Sequence, residues 1–269
     1  MNVVVAILVV LFGLAFGSFL NVCISRLPQH ESIVAPRSRC PGCRTPIAAF
    51  DNIPLLSFAL LGGRCRSCRV RIPWRYPLVE LATAVLFLLS FLQFGWTLQA
   101  LGIAVLCFLL LGLAAMDAET LLLPDAFTLP GIGLGILYSA AICEGVWSQK
   151  IRCAAISLGW ALAAAGAILA IRGLYWLIRR REGMGMGDAK LFAMIAAWLG
   201  PANSLLAFFL AVVGAALYGL VWLRPGRGRP GRDSDSPARV PLGYFLCAAA
   251  LFAAFAGEPV IRWYMGFFR

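Results

Sequence analysis

Charged residues are scarce in this sequence. They make up 13% of the 269 residues, whereas hydrophobic residues make up 61%; a soluble domain is about half apolar or less and about a quarter charged. This shortage excludes a soluble globular protein and predicts a polytopic membrane protein. No RNA- or DNA-reading motif accompanies the net charge of +11, so no nucleic-acid partner is expected. Arginine in short loops instead marks the cytoplasmic side of a membrane protein.

Histidine is almost absent, and so are the motifs of the common hydrolases. His30 is the only histidine, and neither G-x-S-x-G nor H-E-x-x-H occurs, which argues against a serine hydrolase with a histidine base and against a zinc metalloprotease. The glycine-rich residues 183–187 lack the order of a phosphate-binding loop and follow no strand. The first apolar run lacks a basic leader and a small-residue cleavage site, so it is expected to remain as a membrane span.

Long apolar runs dominate what is present. A run of about 20 apolar residues is long enough to cross a bilayer as a helix, and the sequence contains about eight such runs. The sixth is short, and its glycine-rich entry is expected to complete the crossing as non-helical backbone that lines a cavity. The predicted spans are residues 3–22, 77–94, 98–116, 126–142, 154–174, 189–199, 204–223 and 240–255.

Arginine is distributed unevenly between the loops. The insertion at residues 23–76 contains nine arginines but only two acids, which predicts that it faces the cytoplasm. Alternation of eight spans places the links 117–125, 178–187 and 224–239 on the same side and both chain ends on the other. The predicted fold is therefore an all-α polytopic membrane protein, with a first transmembrane helix (1–22), a small zinc-binding cytoplasmic domain (23–76) and a seven-helix membrane domain (77–269).

Four of the nine cysteines are grouped in this insertion. They form the pattern C-x2-C, 21 residues, C-x2-C, in which each pair can wrap around a tetrahedral ion and four thiolates close a structural zinc site. A disulfide pairing is the alternative, although a reducing cytoplasm disfavours it. Because the insertion has few large apolar side chains, metal binding is expected to supply much of its folding free energy. The predicted zinc ligands are Cys40, Cys43, Cys65 and Cys68.

The other five cysteines are scattered through apolar segments. Free cysteine packs like a small hydrophobic side chain. We therefore expect buried, chemically inert side chains at Cys23, Cys107, Cys143, Cys153 and Cys247.

Acidic residues near the ends of spans are candidates for function, because an ionisable group is costly there. Asp188 follows the glycines of residues 183–187, so it is either a helix N-cap or a chemical group that another backbone can approach closely. Asp117 ends the third span, where the C-terminus of a helix repels an anion, so capping explains it poorly. Asp125 is expected to cap the fourth span, and Glu80 either snorkels to the surface or faces the bundle interior.

Asp117 and Asp188 are predicted to lie at the same membrane face, on separate helices of one bundle. If packing brings them together, two anions in a poorly solvated place cannot both ionise easily, and they share one proton. One carboxylate can then act as a base on water while the other polarises a carbonyl, which is aspartic-peptidase chemistry. The rival interpretation is a transporter that uses these carboxylates as a proton or ion relay. A third is a non-catalytic scaffold held by zinc.

These residues, taken in order, resemble the type IV prepilin peptidases, the prepilin leader peptidase/N-methyltransferase family. The resemblance covers nearly the whole chain. The matching segments are FGSFLNV (16–22), RLP (26–28), both C-x2-C pairs, DNIP (51–54), RYPLVEL (75–81), Asp117 with LPD (123–125), and GMGDAK (185–190). Residues 241–244 differ, because they read Pro-Leu-Gly-Tyr where members of the family commonly have Pro-Phe-Gly-Pro.

The resemblance implies that Asp117 and Asp188 are the catalytic pair of a peptidase in the bacterial inner membrane, with its active site facing the cytoplasm. Such enzymes cut a basic leader from type IV prepilins or type II secretion pseudopilins, and many then methylate the new N-terminus with S-adenosyl-L-methionine. Membrane lipid is a further expected partner, through the arginines of the cytoplasmic face. The residues expected to support the catalytic loops are Gly185, Gly187, Lys190, Pro124 and Asp125.

Overall fold

The chain is built from membrane-length helices. A computed structural model describes residues 3–40, 42–180, 185–222 and 241–267, and seven helices in these ranges are long and apolar enough to cross a membrane. A short helix, α2 (Leu56–Leu60), and two 3₁₀ turns, Leu27–Gln29 and Ala49–Asn52, follow the first of them. The seven are α1 (Val3–Arg26), α3 (Arg75–Phe94), α4 (Leu98–Thr120), α5 (Asp125–Ile142), α6 (Trp147–Arg179), α7 (Met186–Trp222) and α8 (Leu242–Gly266). The all-α polytopic fold class is confirmed.

The sixth and seventh predicted spans are the two parts of α7. The backbone of Gly200 is non-helical, with φ 70° and ψ −178°, and Pro201 follows it without an N–H to donate. Helical structure begins at Met186, so the expectation of a non-helical entry is wrong for residues 186–188. Gly183, Met184, Arg181 and the predicted loop 224–239 lie outside the described residues.

The break in α7 frees a backbone carbonyl, and a neighbouring helix satisfies it. A helical residue at position 201 would donate its N–H to the carbonyl of Ala197, but proline cannot. The hydroxyl of Ser157, a buried residue of α6, donates to that carbonyl instead at 2.9 Å. Next to it, the indole N–H of Trp198 donates to the Gly131 carbonyl at 2.8 Å. These side-chain bonds supply hydrogen-bonding partners that a bilayer core lacks.

Replacing Ser157 with alanine is expected to lower the free energy of unfolding by about 1–3 kcal/mol, because the Ala197 carbonyl would stay buried without its donor. The measurement is the apparent melting temperature of the detergent-solubilised protein. Ser148→Ala is the matched control, since Ser148 lies in the same helix but is exposed; it should change stability by less than about 0.5 kcal/mol. Equal melting temperatures for the two variants would contradict this assignment.

The chain forms two compact units, Met1–Gly112 and Leu113–Arg269, with the boundary inside α4. In the first unit α1 packs against α3. At two glycines of α1 the helices are so close that no side chain would fit between them. A Cβ atom at Gly13 would lie 2.6 Å from the Ala84 Cα, and one at Gly17 equally close to the Glu80 Cα. This Gly-xxx-Gly spacing is typical of membrane helices whose backbones approach closely.

In the second unit α7 packs against α5, α6 and α8, and α5 also packs against α6. Small side chains fill the contact between α6 and α7, where Ala161, Ala193 and Ala197 are buried together. Between α5 and α7, the ring of Tyr138 stacks on the indole ring of Trp198, with centroids 5.0 Å apart. The first turn of α7 carries Asp188, one of the two acids predicted to form the site.

Two of the five scattered cysteines were predicted wrongly. Cys143 and Cys153 form a disulfide across the link between α5 and α6, and both residues are only half-buried. Both had been assigned to apolar segments, but Cys143 lies just beyond the end of α5. The other three, Cys23, Cys107 and Cys247, are buried free cysteines as predicted.

Candidate functional site

Asp117 lies in the last turn of α4 and is only 5% exposed. Its carboxylate Oδ2 accepts the backbone N–H of Tyr244 at 2.7 Å. Tyr244 is in the first turn of α8, where backbone N–H groups have no partner within the helix. Asp117 therefore caps the N-terminus of another helix, so the expectation that capping explains this residue poorly is wrong.

Asp188 lies in the first turn of α7, three residues after Gly185. Its Oδ2 accepts the backbone N–H of Gly185 at 3.2 Å, which is the reach-back bond of a capping box. Asp188 is thus not the N-cap itself but the third helical residue, and the partial positive charge of a helix N-terminus favours a carboxylate there. Asp117 also faces a helix N-terminus, that of α8, although it lies in the last turn of α4.

The two carboxylates belong to one site in the second unit. Their charges interact with each other and with the buried thiol of Cys247. Leu123 packs against the elements that carry both: a Cβ at Gly187 would lie 3.0 Å from the Leu123 Cβ, and one at Gly243 would lie 3.2 Å from its Cδ1. Asp117 and Asp188 therefore lie in the same part of the second unit, and their direct contact stays a prediction.

The predicted supporting residues form an ion pair and a helix cap beside this site. The Lys190 Nζ lies 2.6 Å from the Asp125 Oδ1, which ties the first turn of α7 to the start of α5. Pro124, rather than Asp125, occupies the N-cap position of α5, so the capping role expected of Asp125 is wrong, and Asp125 pairs with Lys190 instead. Because both side chains are partly exposed, the ion pair contributes less than about 1 kcal/mol to stability. Its main effect is to hold the starts of α5 and α7 in a fixed relative position.

The four predicted zinc ligands form a cluster in the first unit. One sulfur from each of Cys40, Cys43, Cys65 and Cys68 lies within 4.8 Å of the others. All four are free thiols, so the disulfide alternative is not realised. Four sulfurs gathered at this spacing match the donor set of a tetrahedral zinc site.

The two halves of the cluster have the same backbone conformation. The Cys40 N–H donates to the Thr45 carbonyl at 3.0 Å, and the Cys65 N–H donates to the Val70 carbonyl at 2.9 Å. Each half then closes with an isolated β-bridge, Arg39 to Pro46 in one and Arg64 to Arg71 in the other. The cluster is therefore a pair of equivalent hairpin-like turns that present two cysteines each.

Hydrogen bonds favour the thiolate, the form that binds metal, at two of the four cysteines, Cys43 and Cys65. The Thr45 hydroxyl lowers the pKa of the Cys43 thiol to about 6, and the backbone N–H of Cys68 lowers the pKa of Cys65. Although the Val70 N–H favours the Cys68 thiolate, burial and the neighbouring cysteines raise the pKa of Cys68 to about 11. Outside the cluster, hydrogen bonding by Arg66 lowers the pKa of the Asp51 carboxyl.

Glu80 is buried and faces the interior of the first unit, rather than extending to the membrane surface. Its Oε2 accepts the Leu55 N–H at 2.9 Å, and the Ser18 hydroxyl also hydrogen-bonds to the carboxylate. Sequence reasoning did not single out Asn21, yet it is 3% exposed and its Nδ2 donates to the Tyr76 carbonyl at 2.9 Å. Gly17 and Asn21 are four residues apart, so they lie on the same face of α1. Since Gly17 packs against Glu80, this spacing is the sequence signal that places the Asn21 amide on the buried face.

Comparisons with known proteins agree with this arrangement. Residues 11–94 match the bacterial peptidase A24 N-terminal domain, and residues 103–220 match the type IV leader peptidase family. Proteins named prepilin leader peptidase/N-methyltransferase are 36% identical in Legionella pneumophila and 38% identical in Aeromonas hydrophila, each over 96% of this chain and 93% of the relative. One from Neisseria gonorrhoeae is 37% identical over 90% of both chains.

The chain belongs to the type IV leader peptidase family. No solved structure matches it. Seven membrane-length helices and these relatives make it a multi-pass membrane protein. The family resemblance predicted from the sequence is confirmed.

Within this leader peptidase the segment 241–244 has a clear structural role that the sequence did not indicate. A Cβ at Gly243 would lie 2.9 Å from the Asp117 Cγ, and the next residue supplies the N–H that Asp117 accepts. In this chain the segment holds Asp117 in place through close contact and one hydrogen bond.

Replacing Gly243 with alanine is expected to slow leader cleavage by about a hundredfold, because the new methyl group would displace the Asp117 carboxyl and small misplacements of catalytic groups have effects of that size. The measurement is the initial rate of leader removal from a purified prepilin. Gly266→Ala, in the same helix but with open space around its Cβ position, should cleave at the wild-type rate. A normal rate for Gly243→Ala would show that Asp117 does not need this contact.

Proposed function

We propose that this chain is an aspartic endopeptidase that removes the leader peptides of type IV prepilins or type II secretion pseudopilins and then N-methylates the new N-terminal residue. The observation that carries the peptidase half is the shared site of Asp117 and Asp188, each accepting a backbone N–H at the start of a helix. The names of its relatives pair the two activities. The sequence contains neither G-x-S-x-G nor H-E-x-x-H, so no motif of a serine hydrolase or zinc metalloprotease competes with this assignment.

The proposed reaction uses one ionised and one protonated carboxyl group. The ionised group takes a proton from a water molecule as its oxygen attacks the scissile carbonyl carbon, and the protonated group donates to the carbonyl oxygen. Collapse of the tetrahedral intermediate breaks the C–N bond, and the leaving amine takes up a proton. Electrostatic repulsion between Asp117 and Asp188 favours the singly ionised pair that this chemistry needs.

The four-cysteine cluster would hold a structural Zn²⁺ through Cys40, Cys43, Cys65 and Cys68. A site closed by four thiolates has no open position for a substrate or water. Its contribution would be folding free energy for the segment between α1 and α3. The peptide chemistry stays with the aspartates.

We place the protein in the bacterial inner membrane with both aspartates at the cytoplasmic face. The nine arginines of residues 23–76 support that orientation, because positively charged loops stay in the cytoplasm. Three successive crossings, α3, α4 and α5, lead from that insertion to the link between α5 and α6, so the link faces the opposite, oxidising compartment. Its disulfide, Cys143–Cys153, fits that side, since disulfides persist under oxidising conditions.

Mass spectrometry of the pilin N-terminus tests both halves of the proposal. Purified protein is incubated with a prepilin, with and without S-adenosylmethionine, and the product masses are compared. We expect leader removal in both samples and an added methyl group only where the methyl donor is present. An uncut prepilin together with proton flux in substrate-free proteoliposomes would favour the transporter interpretation instead.

A further inference from the structure

A cavity of about 250 Å³ lies in the first unit, beside the four-cysteine cluster. Its walls come from α1, α3 and the segment between them. Asn21 and Glu80 line it at the contact of α1 with α3, and Cys40 and Cys65 line it on the side of the cluster. The leader-cleavage site of the second unit uses none of these residues.

Buried hydrogen-bond acceptors line this cavity. The Oδ1 of Asn21 has no hydrogen-bond partner although the residue is 3% exposed. Glu80 is 9% exposed, and its two donors, the Leu55 N–H and the Ser18 hydroxyl, leave lone pairs of the carboxylate available. A buried acceptor without a partner is costly, so these atoms are suited to a ligand that brings N–H donors or positive charge.

Charged residues of both signs line the cavity. Arg66 and Asp51 pair with each other at 2.6 Å, and the Arg26 guanidinium donates to two backbone carbonyls. The other charged residues of the lining are Glu80, Arg39 and Arg71. A lining that contains both a buried acid and arginines matches a zwitterionic amino acid, whose ammonium and carboxylate need opposite partners.

We propose that this cavity binds the methionyl end of S-adenosylmethionine. Glu80 and Asn21 would accept from its ammonium group and lie near the sulfonium charge, while Arg39 or Arg71 would bind its carboxylate. The volume is below the roughly 300–1,000 Å³ of sites that enclose a whole drug-sized ligand, so the adenosine moiety lies at the mouth. This assignment rests on the methyltransferase half of the proposed function.

The transfer that this site would serve is balanced without any further reagent. The lone pair of the new N-terminal amine forms a bond to the donor's methyl carbon, and the S–CH₃ bond breaks with its electron pair going to sulfur. The sulfonium becomes a neutral thioether, and the methylated nitrogen releases a proton to solvent. Because the thioether product lacks the sulfonium charge, it should bind less tightly to a site that contains a buried carboxylate.

Glu80→Gln tests the assignment, because an amide oxygen can still accept the Leu55 N–H while the negative charge is removed. Binding of S-adenosylmethionine to the full-length protein in detergent, measured by calorimetry without any pilin, should weaken by about ten- to a hundredfold. N-methylation should fall with it, and leader cleavage should stay at the wild-type rate. Glu31→Gln, an exposed acid of the same unit outside the cavity lining, is the matched control and should bind normally.

Photocrosslinking of radiolabelled S-adenosylmethionine to the wild-type protein tests the location independently of any variant. Label is expected on peptides that contain residues 18–26, 51–58 or 76–80. Label confined to peptides beyond residue 112, or full affinity in Glu80→Gln, would overturn the cavity assignment even if methylation is intact. Leader cleavage by wild-type protein that neither binds the donor nor methylates its product would overturn the methyltransferase half of the proposed function and this inference with it.

Discussion

Replacing either Asp117 or Asp188 with asparagine is expected to reduce leader cleavage by about a thousandfold or more. Asparagine can keep the hydrogen bonds from Tyr244 and Gly185 but cannot take a proton from water or donate one as an acid. Loss of a general acid–base group typically costs about 10²–10⁴-fold, and here each variant removes half of a pair that acts as a unit. The measurement is single-turnover cleavage of a purified prepilin by protein that is inserted normally.

The double variant sharpens this test. Because groups that act together are not additive, Asp117→Asn combined with Asp188→Asn should cleave no more slowly than the slower single variant. Glu258→Gln serves as the control, since Glu258 is an exposed acid of the same unit and should cleave normally. Full cleavage by either single variant would rule out the aspartate pair. If the aspartate variants no longer cleave prepilin although the protein is inserted normally, the chain is not a purely structural scaffold.

Local sequence properties predicted the membrane helices well because hydrophobic length is itself the requirement for crossing a bilayer. The same reasoning separated the two crossings at Gly200, where the backbone leaves the helix. The rings of Phe192 and Phe208, one in each part of α7, have centroids 5.1 Å apart, so the two parts lie side by side as separate helices. It failed at Asp117, because the sequence shows the C-terminus of its own helix but not the N-terminus of α8 that packs against it. That contact joins residues 127 positions apart, which no local pattern encodes.

The cysteine cluster was predictable for a different reason. Four thiolates around one ion need a fixed spacing within each pair, and that spacing is written in the sequence. The Cys143–Cys153 disulfide has no such pattern, since it depends only on where α5 ends and α6 begins. The predicted division into residues 1–22, 23–76 and 77–269 stays a prediction, and the compact units of the structure meet instead within α4.

Residues 241–244 show how a close contact can be hidden in an apolar sequence. Nothing in the composition distinguishes Gly243 from the other small residues of α8, and its importance comes only from the carboxylate that packs against it. Likewise, Lys190 could be expected to find an acid, but its choice of Asp125 follows from the packing of α5 against α7. Long-range packing therefore decided the details of the site that the motifs had located.

Removing two ligands from the four-cysteine cluster is expected to eliminate zinc from the protein. Structural zinc sites contribute about 10–16 kcal/mol in small peptides, which exceeds what the few apolar side chains between α1 and α3 can supply. Cys40→Ser with Cys65→Ser takes one ligand from each of the two equivalent turns, so neither half can hold the ion alone. Elemental analysis should find about one zinc ion per chain in the wild-type protein and none in the variant.

Limited proteolysis of the same samples connects the metal to the fold. The zinc-free variant should be cut within residues 27–74 at protease concentrations that leave the wild-type protein intact, because the two turns lose the ion that joins them. Cys23→Ala is the matched control: Cys23 is buried in α1 and belongs to no cluster, so zinc content and protease resistance should be unchanged. Zinc retained at one equivalent by the double variant would refute the assignment of these ligands, whereas lost zinc with an intact insertion would show that the segment folds without metal.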